Sequence, residues 1–507
     1  MHRRHFVGTT LASGLGTLLG PAAAPSWGVP QAAATYMNPI LPGDHPDVGA
    51  MRMGQDYYLT HSSSVYAPAF LIWHSRDLVN WEPVCYAIDG NTGASIWAPF
   101  LCEHKGTFYI YYSGDGPIRA IHASSIRGPW SAPVALNIDA IDPSHVVDPA
   151  TGKRYLHCSG GQMAELSDDG LSVKGAVRKV FQAWPIPQDW LVECECLEAS
   201  KIMWKDGYFY LTVAQGGTSG PSTSHMIVSA RSRSVEGPFE YSPYNPILRT
   251  RSREERWWSQ GHGRLVDAPD GSWWMTYHAY ENGYQTLGRQ TMLLPVEWTR
   301  DGWYRVPAGV TPEKAIRMPR GERVAGRIEL SDDFERSQLG LQWQFWRDYD
   351  KGRFQTGDGR LVLEGRGKSL ADTPVMAAIT GDHAYEAEVD VEVPEGCEAG
   401  LVLFYSPERA IGMRIDSRGV GFRGPEANSR GGVVRAGKRA VLKVVNNRQD
   451  VRLWFQLPGG EWEAVPHGWE VGGLNHNVLG QFNSLRPALY CCGAGKATFR
   501  NFRCRAI

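Results

Sequence analysis

The chain has 507 residues, more than one hydrophobic core organises, so two or more domains are expected. A formal net charge of −1 supplies no field for gathering nucleic acid or an anionic membrane. With 57 Gly, 19 Trp and 21 Tyr, and few long runs of helix formers, the composition points to an all-β protein whose indoles suit cores and sugar rings alike.

The N-terminus begins His2-Arg3-Arg4-His5-Phe6-Val7, runs weakly apolar from Gly8 to Gly20, and continues through Ala22-Ala23-Ala24 to Ala32-Ala33-Ala34. A basic start, a short apolar middle and a small-residue exit mark residues 1–34 as a secretory peptide. The Arg pair followed by Phe6 is similar to a twin-arginine signal, so export to the periplasm or the medium is expected. The apolar stretch is too short for a permanent anchor, and no later segment has the roughly 18 apolar residues of a membrane span. Nine Cys, without the spacing of a disulfide framework, suit a protein folded in a reducing cytosol before export. Cys194-Glu195-Cys196 and Cys491-Cys492 lack a second pair at zinc spacing and read as buried thiols.

Asn38-Pro39-Ile40-Leu41-Pro42-Gly43-Asp44-His45-Pro46-Asp47 comes next, a turn-rich segment that ends on a carboxylate held by restricted backbone. An internal repeat follows. Five times a turn glycine precedes an aromatic strand: Gly54 before Tyr57-Tyr58-Leu59, Gly106 before Phe108-Tyr109-Ile110, Gly152 before Tyr155-Leu156-His157, Gly207 before Tyr208-Phe209-Tyr210, and Gly271 before Trp273-Trp274-Met275. A period near about 50 residues with several strands per unit predicts a five-bladed β-propeller over residues 35–318. After a linker at Pro319-Arg320-Gly321-Glu322, period-2 strands such as 385–391, 400–405, 440–445 and 451–455 predict a β-sandwich over 329–507.

A propeller gathers the starts of its innermost strands around one mouth, so acids distant in sequence can meet there. Asp47 precedes blade one, Asp142 (in Ile141-Asp142-Pro143-Ser144) blade three, and Glu198 (in Leu197-Glu198-Ala199-Ser200) blade four; Trp97-Ala98-Pro99 and Gly261-His262-Gly263 occupy the other two junctions. Glycosidic hydrolysis needs an ionised carboxylate to deprotonate water and a protonated carboxyl to serve the leaving oxygen. A third negative charge raises the pKa of the acid. The chemistry assigns Asp47 as base, Glu198 as acid and Asp142 as tuner, with Glu193 and Glu195 competing for the acid role. Each acid alone could equally be a strand-start carboxylate bonded to its own turn. His262 reads equally as a hydrogen-bonded core histidine, and Arg289 as an ion-pair partner. Trp97 and Trp73 are candidate sugar platforms that could also be packing.

Together these motifs, with Leu287-Gly288-Arg289-Gln290-Thr291 before Pro295-Val296-Glu297-Trp298, resemble the motif series of glycoside hydrolase family 43. The second domain resembles the concanavalin-like C-terminal sandwich of β-xylosidases in that family. The resemblance implies an inverting exo-glycosidase that removes terminal pentose, β-xylosyl or α-L-arabinofuranosyl, from plant polysaccharide or oligosaccharides. It maps base, tuner and acid onto Asp47, Asp142 and Glu198. It implies that Arg289 contacts a sugar hydroxyl or a catalytic carboxylate, and that His262 positions the base or binds an axial structural Ca²⁺; no cofactor is required. Where the family has Pro-Ser after the base this chain has Val48-Gly49, and where it has Gly-Pro after the acid this chain has Ala199-Ser200. These departures leave a β-galactofuranosidase-type activity open beside the pentosidase. A non-catalytic glycan-binding propeller is the alternative outside enzymes.

Overall fold

The computed structural model describes residues 34–426 and 430–507; the leader read over 1–34 falls, except for its last residue, outside them. Five antiparallel sheets of at least four strands follow one another along the first part of the chain. Blade one is built from Met51–Met53, Asp56–Leu59, Ala69–Ser75 and Glu82–Ile88. The strands that open blades two to five are Ile96–His104, Ser144–Val147, Glu198–Lys205 and Trp257–Asp267. Each repeat glycine sits at a positive φ (Gly54 62°, Gly106 79°, Gly152 73°, Gly207 85°, Gly271 81°), in the tight turn that feeds the aromatic strand. That geometry is why the Gly-aromatic spacing recurs in register.

The chain start fastens the ring. Thr35–Tyr36 pairs with Ile316–Arg317. Asn38 donates its amide to the Leu293 carbonyl at 2.9 Å and accepts the Leu293 N–H at 2.8 Å. Leu41 bridges Thr291. The Asn38-to-Asp47 segment is thus stitched onto blade five before it delivers Asp47 to blade one.

The second part of the chain folds as two packed sheets. One has seven strands, among them Ala384–Glu392, Arg439–Asn447 and Asp450–Gln456, whose residues alternate buried and half-exposed as period-2 patterning requires. The other has eight, and its central strand Cys397–Ser406 is buried at every position. Both of its faces are covered. Leu401 and Leu403 join the sandwich core, whereas Val402 and Phe404 pack with Tyr66 of the propeller. Tyr66–Ala67, taken from blade one, forms the edge strand of this sheet beside Gln344–Trp346. Propeller and sandwich therefore share a hydrogen-bonded sheet.

Two expectations change. Trp73 is 2% exposed, packed in the propeller core with its ring edge-on to His45 at 5.5 Å. It cannot stack on a sugar without unpacking the core, and the platform reading of Trp73 is withdrawn. Cys194 and Cys196 form a disulfide instead of two free thiols, because the half-buried Cys-Glu-Cys loop folds the two Cα atoms to 5.2 Å. Cys491 and Cys492 are buried and outside any disulfide, as expected. Trp73→Ala is expected to cost about 3–5 kcal/mol, read as a lower midpoint of thermal unfolding; a raised KM with unchanged melting would restore the platform.

Candidate active site

At each of the five junctions one non-glycine residue adopts a left-handed backbone: Asp47 (φ 58°), Ala98 (49°), Asp142 (55°), Ala199 (53°) and His262 (57°). Such conformations cost roughly 1–3 kcal/mol each and persist where surrounding contacts over-determine them. Four of them are pinned from the preceding blade. The Asp47 amide donates to His278 Nδ1 at 3.0 Å, the Ala98 and Asp142 amides to Ser62 Oγ and Ser113 Oγ at 2.7 Å, and the Ala199 amide to Asp142 Oδ2 at 2.7 Å. Side chains of blades five, one, two and three thereby fix the strand starts of blades one, two, three and four around the mouth.

This ring frames a cavity of about 580 Å³ lined by Asp47, Asp142 and Glu198 together with Trp97, His262, His278 and Arg289. The three acids that the sequence placed far apart converge here. The sandwich supplies part of the wall through Trp346, Arg347, Gln481, Phe482 and Asn483. Glu193 and Glu195 do not line it. Glu193 accepts the amides of Ser219 and Gly220 at 2.9 and 2.8 Å, and Glu195 is exposed beside the disulfide, so neither competes as the acid.

The electrostatic settings of the acids differ. Asp47 is buried, and burial, the largest single influence, would raise its pKa; the Arg289 guanidinium, His278 and His262 together outweigh it and hold the carboxyl well below the usual carboxylate range. Arg289 Nη1 donates to Oδ1 at 2.8 Å and Nη2 to Oδ2 at 3.4 Å, and the Ser62 hydroxyl also donates to Oδ2. Burial pushes His278 down to about 3 and His262 well below its ordinary value, so both imidazoles are neutral and Arg289 carries the formal positive charge on Asp47. Asp142 goes the other way. Burial first, then the Glu198 carboxylate, raise it to about 7 against the opposing pull of Lys201. Glu198 is the most open of the three, its side chain 24% exposed, with Oε1 3.2 Å from His225 Nε2.

Sequence reading missed Ser62, His278, His225 and Lys201. His278 lies just beyond the aromatic run that marks blade five, but nothing local tells its inward face from its outward one. Lys201 follows Glu198 by three residues and lies buried under the site, its pKa lowered by burial to about 8. The departure at Gly49 has a packing reason: a Cβ there would sit 2.5 Å from Arg264 Cδ, so glycine admits the Arg264 side chain that spans from Gly49 O (3.3 Å) to Leu101 O (3.0 Å).

Asp47, His262 and His278 place ligand-type atoms within 4.8 Å of one another. This set does not fit Ca²⁺, which takes six to eight oxygen ligands. It has one carboxylate, already committed to Arg289 and Ser62, and two imidazoles, with the Lys201 ammonium close by. His262 is a neutral residue of the cavity wall.

A propeller mouth holding one clamped, ionised carboxylate and a raised carboxyl beside a second acid defines a glycoside hydrolase. Residues 36–304 match glycosyl hydrolases family 43, and residues 331–505 match the beta xylosidase C-terminal concanavalin A-like domain. The chain belongs to family 43. It is 32% identical over 334 residues to a xylan 1,3-beta-xylosidase of a Vibrio species (56% of this chain, 60% of that protein). It is 33% identical over 343 residues to a non-reducing end alpha-L-arabinofuranosidase of Bacteroides ovatus (62% of each). The chain thus spans less than two thirds of the length of these two relatives. The crystal structure of a family 43 protein from Bacillus licheniformis superposes with a TM-score of 0.84 at 29% identity, covering 94% of this chain and all of that one.

Gly261→Ala would put a Cβ 2.0 Å from the buried His225 ring, whose Nε2 lies 3.2 Å from Glu198 Oε1, so the ring must shift beside the acid. The expected result is a stability loss of about 1–3 kcal/mol together with a lower kcat, measured by melting and initial rates; wild-type behaviour in both would mean that His225 yields freely.

Proposed function

We propose that the protein is an exported, inverting exo-glycosidase that releases a terminal β-xylosyl or α-L-arabinofuranosyl residue from plant polysaccharide or oligosaccharides. The observation that carries this reading is the unequal pair of settings in one cavity: Asp47 clamped by Arg289, and Asp142 raised beside Glu198. Asp47 takes a proton from water as that water attacks the anomeric carbon. The bond from that carbon to the leaving oxygen breaks on the opposite face, and the oxygen takes the Glu198 proton. Asp142 is the like charge beside Glu198: the two carboxyls do not ionise together, and this keeps a proton on the pair. Trp97, half-buried in the wall, offers a ring face to the sugar, and Arg289, also in the lining, is placed to donate to a hydroxyl.

Exo action is supported by the wall that the sandwich builds across one side of the cavity, which favours a pocket for a chain end over an open cleft. The pentose assignment is supported by the relatives named as xylosidase and arabinofuranosidase. Export is supported by the Arg3-Arg4 leader pattern; no helix among the described residues is long and apolar enough to cross a membrane.

Activity on aryl β-xylopyranoside, α-arabinofuranoside and β-galactofuranoside, with proton NMR of the first-formed sugar, tests the reading. An inverted pentose is expected, and a retained anomer would reject the mechanism. Asp47→Ala is expected to abolish turnover. Glu198→Ala is expected to spare aryl glycosides with good leaving groups and to lose natural substrates; equal loss of both by a folded variant would remove Glu198 as the acid.

The pH dependence has a definite sign. With the Asp142 carboxyl raised to about 7 beside Glu198, the pair of carboxyls holds a proton below that pH and loses it above, so kcat/KM is expected to fall as pH rises through about 7. Asp47, lowered, stays ionised through the weakly acidic range. Asp142→Asn removes the like charge, so the alkaline limb is expected to move to lower pH; an unmoved limb would detach Asp142 from the proton donor.

A further inference from the structure

Arg289 reaches Asp47 from the turn between Trp273–Glu281 and Gln290–Trp298, a turn that carries a short 3₁₀ segment, Gln285–Leu287. The sandwich grips this turn along its length. The Leu485 amide donates to the Thr286 carbonyl at 2.8 Å, the Gln449 side-chain amide donates to the Gly283 carbonyl, and His383 stacks on Tyr284 at 3.9 Å. The Phe482 ring lies 4.7 Å from the Arg289 guanidinium.

At the end of the turn stands a buried ion pair between the two parts of the chain. Arg486 opens the sandwich strand Arg486–Gly493, and its Nη2 donates to Asp44 Oδ2 at 3.1 Å. Its other donors go to Ser484 Oγ at 3.0 Å and Gln344 Oε1 at 3.2 Å, and its guanidinium lies 3.8 Å over the Tyr66 ring. Asp44 Oδ1 in turn accepts the Arg289 backbone N–H at 3.2 Å. Gly288 (φ 77°) is where this carboxylate sits against the turn: a Cβ there would be 2.4 Å from Asp44 Oδ1. Asp44 and Arg486 are each 5% exposed, and neither lines the cavity.

We propose that Asp44 and Arg486 are positioning residues for the base: Arg486 of the sandwich orients Asp44, Asp44 holds the backbone of Arg289, and Arg289 holds the Asp47 carboxylate. This rests on the assignment of Asp47 as base. The sandwich is on this account a working part of the catalytic centre, beyond the wall it builds. Misplacing a reacting group by about 1 Å costs on the order of 100-fold in rate, so a residue outside the pocket can govern turnover in this way. A buried ion pair that loses one member leaves the other uncompensated, so the effect does not stay local.

The test uses the full chain with Arg486→Met, Asp44→Asn and the double variant. Competent sites are counted by calorimetric titration with a pentose-mimicking iminosugar, and kcat and KM per competent site are measured on an aryl glycoside. Expected is a fall in per-site kcat of at least tenfold in each single variant with KM changed by less than about threefold, partial recovery in Arg486→Lys, and a double variant no worse than the poorer single, as for one chain of contacts. A per-site kcat equal to wild type, with losses confined to melting temperature or to the titratable fraction, would overturn the proposal. Should Arg486→Met not fold, the isosteric Asp44→Asn decides by the same readout. Asp47→Asn separates the two readings. If it keeps wild-type turnover, the base assignment falls and the proposal with it; if it is inactive while the Asp44 and Arg486 variants keep kcat, the relay alone falls.

Discussion

An ionised carboxylate removed from water must be given back what it loses, and Asp47 obtains this from one guanidinium. The Arg289 fork, the Ser62 hydroxyl and the neutral imidazoles of His278 and His262 surround it, and of these only Arg289 carries formal charge. Without that charge the burial of Asp47 would push a proton onto it, and it could no longer accept one from water. Much of the architecture serves this contact. The N-terminal segment is stitched to blade five so that Asp47 meets a strand at the far end of the propeller sequence. The Arg289 turn is gripped in its turn by the sandwich.

The opposite setting of Asp142 follows from the same cavity. It is as buried as Asp47 but has no guanidinium on it; its neighbours are the Ala199 amide, the Ser159 hydroxyl, the Glu198 carboxylate and a lysine that burial itself weakens. One acid is held ionised and another is pushed toward its protonated form within a single pocket. Hydrolysis of a glycosidic bond needs one ionised carboxylate and one protonated carboxyl, and Asp142 with Glu198 forms the pair that retains a proton.

The propeller was legible because turn glycines and aromatic strands leave a periodic trace, and the three acids because each stands at an equivalent place in that period. The ring of left-handed residues was not. Ala98 and Ala199 are not residue types that announce a positive φ, and the side chains that pin four of the five junctions come from the preceding blade, which a linear reading does not bring together. Trp73 misled because an indole has the same composition whether it faces a sugar or a core. The strand Cys397–Ser406 looked like a one-sided strand, yet it is covered on both faces once the propeller lends the sheet its edge at Tyr66–Ala67. Cys194 and Cys196 were read as thiols because a spacing of two fits no disulfide framework, and only the folded loop brings the sulfurs together.

The central claim is that Asp47 and Glu198 act on opposite faces of one anomeric carbon. The crystal structure of the Glu198→Gln variant with a short xylo- or arabino-oligosaccharide tests it most directly. The account predicts the non-reducing-end sugar in the cavity against Trp97, the glycosidic oxygen within hydrogen-bond reach of residue 198, and a water held by Asp47 on the far side of the anomeric carbon. A sugar bound with residue 198 and Asp47 on the same face, or with no access for water from Asp47, would contradict it.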